Sequence, residues 1–147
     1  MARRSAINAV ADAVVATLNV ASLRALCPGG VYRNRPTAQT PPFVSVGPCS
    51  EGPADAFGLT YGAVVIVPVS VVTSGADANG ESRAITILDA VMALIDEPVA
   101  WPALTGWAVT LVEWQETRVA APDPFVMDDL APGYVGTSVF AVHVDTR

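Results

Sequence analysis

The segment from Tyr61 to Val72, Tyr-Gly-Ala-Val-Val-Ile-Val-Pro-Val-Ser-Val-Val, restricts the fold more than any other. Branching at Cβ stiffens valine and isoleucine and suits them to a pleated, packed strand better than to a helix. The run therefore predicts a long strand in a sheet with at least one covered face. Pro68 lies inside it and has no N–H to give to a ladder. The strand is accordingly expected at a sheet edge, or bulged at Pro68.

The rest of the chain supplies partners for that strand. Residues 5–18 read as an amphipathic helix, with Ser5 as N-cap and Ile7, Val10, Ala11, Val14 and Leu18 on one stripe. A short helical piece at residues 21–26 ends at Pro28-Gly29-Gly30. The chain then extends through Val31-Tyr32, and Phe43 to Gly47 predicts a short strand. Residues 48–60 read as a loop. Asp77 or Asn79 is placed to cap a helix over about residues 80–96, whose predicted buried stripe is Ile85, Leu88, Met92 and Ile95. Trp107 to Val119 predicts a long strand. Its apolar phase shifts after Leu111 to Val112 and Trp114, as a β-bulge would produce. Tyr134 to Val144 predicts a final strand paired with it as an antiparallel hairpin. The expected fold class is α+β: a mainly antiparallel sheet of about four strands with two helices packed on one face. Residues 1–147 read as a single domain, with no internal repeat and no linker.

Composition narrows the function. Hydrophobic residues make up 52% of the chain and charged residues 15%, well below the roughly 25% of an average soluble domain. The surplus apolar surface is read as meant for other subunits. The formal net charge of −6 gains nothing from phosphate neutralisation, so specific nucleic-acid binding is not expected. All eight basic residues are arginine, which eliminates P-loop, Schiff-base and Ser-Lys chemistry. Asn8, Asp12 and Asn19 interrupt the N-terminal apolar run, so a cleaved leader is not expected. No stretch reaches the roughly 18 apolar residues of a membrane span, and the protein is expected to be soluble.

Few residues offer chemistry. His143 and Asp145 alternate on one strand face, an arrangement that lets a carboxylate orient a general base, with Cys27 or Cys49 as a nucleophile from elsewhere. The remote alternative is therefore a small hydrolase using His143. His143 alternates with Val142 and Val144, however, and reads better as the polar side of a strand. Asp96-Glu97 and Asp128-Asp129 lack the spaced oxygen ligands of a calcium loop and read as solvated. Gly29-Gly30 follows a helix instead of opening one, the wrong context for a dinucleotide. No catalytic residue, metal or cofactor is expected. Arg33-Asn34-Arg35 is the one internal basic cluster and reads as reaching an acidic neighbour across an interface. Trp101, Trp107 and Trp114 read as core or interface anchors.

One stretch carries a resemblance. Val31-Tyr32, Pro36 and Pro42-Phe43-Val44-Ser45-Val46-Gly47 resemble the VY…P…PYV.VG pattern of phage tail terminator and tail completion proteins of siphophage-type necks. The helix carrying Glu81, Ser82, Ile85, Leu88 and Met92 is similar to that family's ES…I…L…L helix, and the likeness runs from about residue 5 to 145. Arg33 departs from the acidic residue that usually follows the tyrosine. The resemblance implies a virion protein assembled in the host cytoplasm, a homo-oligomer closing as a hexameric ring on the last ring of the tail tube. Its implied partners are the major tail tube protein and a head–tail connector or stopper protein, with DNA passing through the lumen without specific binding. Two surfaces are expected to make the contacts. Tyr32, Arg33, Arg35, Val65, Val67, Pro68 and Val69 would meet a neighbouring subunit, on the premise that the valine-rich strand is an edge. Phe125, Val126, Met127, Asp128, Asp129 and Leu130, in the acidic, proline-rich segment 120–133, would order on docking to the tube. The nearest alternative is another ring of the neck, a connector or stopper.

Overall fold

A computed structural model describes residues 4–34, 39–53, 62–97, 101–121 and 132–146. The elements run α1 (Ile7–Leu18), α2 (Ala21–Leu26), β1 (Val31–Arg33), β2 (Phe43–Val46), β3 (Ser50–Pro53), β4 (Gly62–Ser74), α3 (Gly80–Ile95), β5 (Trp107–Ala120) and β6 (Pro132–Thr146). Among the described residues, six strands form one sheet in the order β1-β2-β4-β6-β5, with β3 also paired to β4. β1 runs parallel to β2 and every other pairing is antiparallel. The fold is α+β as expected, but the described residues form six strands in a mixed sheet and three helices. No helix among the described residues is long and apolar enough to cross a membrane.

The core lies on one face of this sheet. Ala63, Val65, Val67, Val69 and Val71 of β4 are fully buried beneath α1, α2 and α3, with Phe140, Val142 and Val144 of β6 beside them. Val10, Val14, Leu18, Leu23, Ile87, Leu88, Val91 and Ile95 close the layer from above. Each such side chain contributes roughly 1.5–3 kcal/mol by leaving water. α3 approaches the sheet closely because β6 has no side chain at Gly136. A Cβ there would stand 2.8 Å from Leu88 Cδ1 and 3.4 Å from Ala84. That seating decides the buried stripe of α3, which is Ala84, Ile87, Leu88, Val91 and Ile95. The predicted stripe is therefore rotated: Ile85 is 43% exposed.

The premise that the valine-rich strand is an edge is corrected. β4 lies inside the sheet, with β6 along one side and β2 and β3 sharing the other. β2 pairs with Val69–Val72 and β3 with Ala63–Ile66, so Val67 and Pro68 fall in the gap between them. In an antiparallel ladder a residue's N–H and C=O point to the same side. The Pro68 carbonyl accepts the Gly47 N–H at 2.8 Å, so its missing donor also faces the crossing from β2 to β3, where no strand stands. Proline fits an interior strand here because the neighbouring strand is interrupted.

Helix entries use side chains from outside the helices. Ser5 Oγ accepts the Ile7 N–H at 3.2 Å, and Glu51 Oε1 on β3 accepts the Ala6 N–H at 3.0 Å. Before α3, the Asp77 carboxylate accepts the Asn79 N–H at 2.9 Å and pairs with the Arg83 guanidinium. The hydrogen bond from Arg83, then that from Asn79, holds Asp77 below the usual carboxylate range. A depressed carboxylate stabilises above its unfolded pKa, and that stabilisation is lost as pH falls through the folded value. The Tm gap between wild type and Asp77→Asn should therefore be present at pH 7 and close below about pH 4. A gap that is unchanged by acid would remove Asp77 from this role.

Candidate functional site

The two ends of the sheet carry the residues left over from the core. At one end, β1 places Tyr32 and Arg33 on opposite faces. Tyr32 meets Phe43 edge-on at 6.4 Å between ring centroids and donates its hydroxyl to the Gly29 carbonyl at 2.6 Å. Arg33 turns toward the helices, where its guanidinium meets Asp12 at 3.2 Å and Asn8 at 2.6 Å. It is thus engaged within its own chain, while still reaching solvent. Arg35 lies outside the described residues, as do Phe125, Val126, Met127, Asp128, Asp129 and Leu130. Val65, Val67 and Val69 are fully buried under the helices, and Pro68 is half-buried on the other face. In this fold those three valines present nothing to a neighbouring subunit.

At the other end, β5 is paired only with β6 among the described residues. Its register shifts twice, between Val109 and Leu111 and between Trp114 and Glu116. The bulge that the sequence predicts after Leu111 falls just before it. Leu111 therefore sits on the face away from the helices, opposite His143, and is 46% exposed. Trp107, Val109, Val112 and Trp114 take the helix-bearing face, opposite Thr146, Val144, Val142 and Phe140. Trp101 and Trp107 are buried as core anchors, whereas Trp114 is 53% exposed. The sheet extends past the helix layer here, and Glu113, Gln115, Glu116, Thr117 and Arg118 are exposed as well.

The Trp114 indole is nevertheless held. Its Nε1–H donates to Thr117 Oγ1 at 2.9 Å, and that hydroxyl is 2.6 Å from the Oγ of buried Ser138 on β6. An exposed aromatic fixed in this way loses little rotamer entropy when a partner covers it. Sequence reasoning assigned no interface role to Leu111, Glu113 or Glu116 and left Trp114 undecided. The available signal was the run Val112-Glu113-Trp114-Gln115-Glu116-Thr117-Arg118, too polar on both alternations for a strand covered on either face.

The groups with chemistry stay apart. His143 and Asp145 do share a face, but the carboxylate beside the imidazole is Glu113, 3.8 Å away across the ladder. Cys27 is buried and its thiol donates to the Leu23 carbonyl. Burial pushes both thiols up, partly offset at Cys49 by the Arg33 charge, and a raised thiol is a poor nucleophile. Among the described residues, no three of His, Cys, Asp and Glu gather as metal ligands. Two shallow hollows flank the first turns of α3. One of about 280 Å³ is lined by residues such as Leu26, Ser82 and Arg83, the other of about 390 Å³ by Ile85 and Tyr134 among others.

No curated protein matches the chain. Among solved structures, it is similar to a chain in the virion of a native gene transfer agent particle. The TM-score is 0.75 over 97% of this chain and 99% of that one, at 22% identity, a likeness of fold. The family model described as tail completion protein gp17 matches residues 9–124, an interval that holds both sheet ends and all three helices but for the first residues of α1. The chain belongs to the tail completion protein gp17 family and is a structural tail protein.

Proposed function

We propose that this chain is a tail terminator. Copies close into a hexameric ring on the last ring of the tail tube, stop its polymerisation and offer their far surface to the head connector. Membership of the tail completion family, over residues 9–124, is the observation that carries this reading. The structure supports it in a physical sense: the two most exposed large apolar side chains among the described residues, Leu111 and Trp114, sit at a sheet end, a place suited to side-to-side contact. The net charge of −6 suits a ring through which DNA passes without adhering. The β1 end, with Tyr32, Arg33 and Arg35, belongs to the subunit contact in this reading. The segment holding Phe125, Val126, Met127, Asp128, Asp129 and Leu130 meets the tube. The ring is assembled in the host cytoplasm and carried in the virion neck.

Tail length tests it. Particles assembled without the chain should carry tubes of widely scattered, mostly excessive length under the electron microscope. Tails of normal length that fail to join heads would instead make it a connector or stopper ring. Deleting residues 123–130 should give a folded protein that no longer caps tubes. Normal capping by that variant would take the segment out of the tube contact.

A further inference from the structure

The turn before α3 holds a pair of residues with covalent chemistry of its own. Of the four asparagines, Asn8, Asn19, Asn34 and Asn79, only Asn79 precedes a glycine, Gly80. The backbone nitrogen of the next residue is a nucleophile that can attack an asparagine side-chain amide at Cγ. A glycine there has no Cβ to crowd the approach and leaves the backbone free to turn. In Asn8-Ala9, Asn19-Val20 and Asn34-Arg35 a Cβ stands in the way. Asn79 is exposed, its side chain makes no cap hydrogen bond, and it borders both hollows beside α3, so water reaches its amide.

The fold holds the nucleophile away. At ψ 25° the Gly80 nitrogen lies close to the Asn79 nitrogen, on the far side of the Cα–C bond from Cβ. Three hydrogen bonds fix that geometry. The Gly80 N–H donates to the Asp77 carbonyl at 3.2 Å, and the Asn79 carbonyl accepts the Arg83 N–H at 2.9 Å. The Asp77 carboxylate, already paired with Arg83, accepts the Asn79 N–H at 2.9 Å. Turning the Asn79–Gly80 peptide toward Cγ breaks the first two.

We propose that Asn79–Gly80 is a self-modification site whose rate is set by opening of the first turn of α3. Once the turn opens, the Gly80 nitrogen gives its proton to solvent hydroxide and bonds to Asn79 Cγ. The bond from Cγ to the side-chain nitrogen breaks, and ammonia leaves with a proton from water. Water then opens the cyclic imide at either carbonyl, so that amide and water become carboxylic acid and ammonia, with nothing oxidised or reduced. One product is aspartate, which suits a helix N-cap and the positive end of the helix. The other is isoaspartate, which carries an extra carbon in the main chain just ahead of Gly80. Gly80 has no slack: a Cβ there would stand 2.9 Å from both Thr73 Oγ1 and Tyr134 Cδ2. The isoaspartate form therefore loosens α3 from β4 and β6.

Peptide mapping by mass spectrometry at mildly alkaline pH tests this on the full chain, folded and in urea. Unfolded in urea, Asn79 should convert well ahead of the other three asparagines. In the folded chain its rate should fall at least about tenfold, since the turn must first open. Folded Asp77→Ala, verified by circular dichroism, should recover part of that rate, and the isoaspartate fraction should melt below the unmodified protein. Conversion of Asn79 no faster than that of the other asparagines in urea would overturn the site. Equal rates in the folded and unfolded chain would overturn the control by α3, and neither comparison needs a variant. A folded Asp77→Ala protein that converts at the wild-type rate would overturn the part played by the Asp77 carboxylate.

Discussion

Val67→Asp is expected to leave no folded protein. Val67 is fully buried at the middle of β4, opposite Phe140 of β6 and beneath the helices. The buried cluster that holds Val67 is made of alanine, valine, leucine, isoleucine, phenylalanine, tryptophan and one cysteine, with no cation among them to pair with a carboxylate. Burying an unpaired ionised group costs several kcal/mol even after it takes up a proton, on the order of 4 kcal/mol or more. That is most of the stability of a domain whose total is about 5–15 kcal/mol. The measurement is far-UV circular dichroism and thermal unfolding of whatever soluble protein is recovered. The outcome separates two readings of the valine-rich strand. Were Val67 an exposed contact with a neighbouring subunit, the same change would give a folded protein impaired only in assembly. A cooperative melt near the wild-type Tm would therefore refute the burial of β4.

Gly29→Ala is expected to cost about 3 kcal/mol or more, the upper end of what overpacking does. The turn Pro28-Gly29-Gly30 joins α2 to β1, and at Gly29 the chain passes against the segment that leads into β2. The Gly29 N–H donates to the Pro42 carbonyl at 2.9 Å, and the Val44 N–H returns to the Gly30 carbonyl at 2.9 Å. A Cβ at Gly29 would fall on the carbonyl oxygens of Thr40 and Pro42, closer than real contacts allow, and 3.0 Å from the Phe43 Cβ. These are backbone atoms and cannot swing aside as a side-chain tip can. Relief requires moving β1 off β2 and breaking both hydrogen bonds. Gly52→Ala is the control: its added methyl meets nothing within 4 Å, and its effect should be within about 0.5 kcal/mol of neutral. Chemical denaturation of the two variants side by side gives the comparison. Equal midpoints would mean that the close approach at Gly29 is not what the turn requires.

What could be read from the sequence followed from periodicity strong enough to outweigh local noise. β4 and β5 were legible because valine, isoleucine and tryptophan recur with strand spacing, and their ends fall within two residues of expectation. α2 was legible through the Pro-Gly-Gly stop that follows it. β3 was not, since Ser-Glu-Gly-Pro has no branched or apolar side chain. It is a strand because β4 offers unpaired backbone beyond the end of β2, and Glu51 ties it to the start of α1. The α3 stripe illustrates an ambiguity of phase. Ile85-Leu88-Met92 and Ala84-Ile87-Leu88-Val91 both fit a helical repeat, and the absent side chain of Gly136 on another element selects the second. Pro68 offered two solutions, an edge or a bulge, and the fold uses a third that depends on where β2 stops. The candidate surface was the least legible part. A bulge position shifted past one residue turns Leu111 from the core face to the open face, and no local signal fixes that position.

The place of β6 between β4 and β5 has a consequence for how the chain is made. β4 ends at Ser74 and β6 begins only at Pro132, so β4 leaves the ribosome long before its longest partner exists. At about 5–20 residues per second, that wait lasts several seconds. Through this interval a row of valines has one flank served by the short β2 and β3 and the other flank bare. Slow codons or a chaperone acting between residues 75 and 132 would change the yield of native protein, whereas the same intervention after β6 has emerged would not. The insertion of the late strand into the middle of the sheet makes nascent-chain aggregation, more than native stability, the quantity that synthesis conditions control.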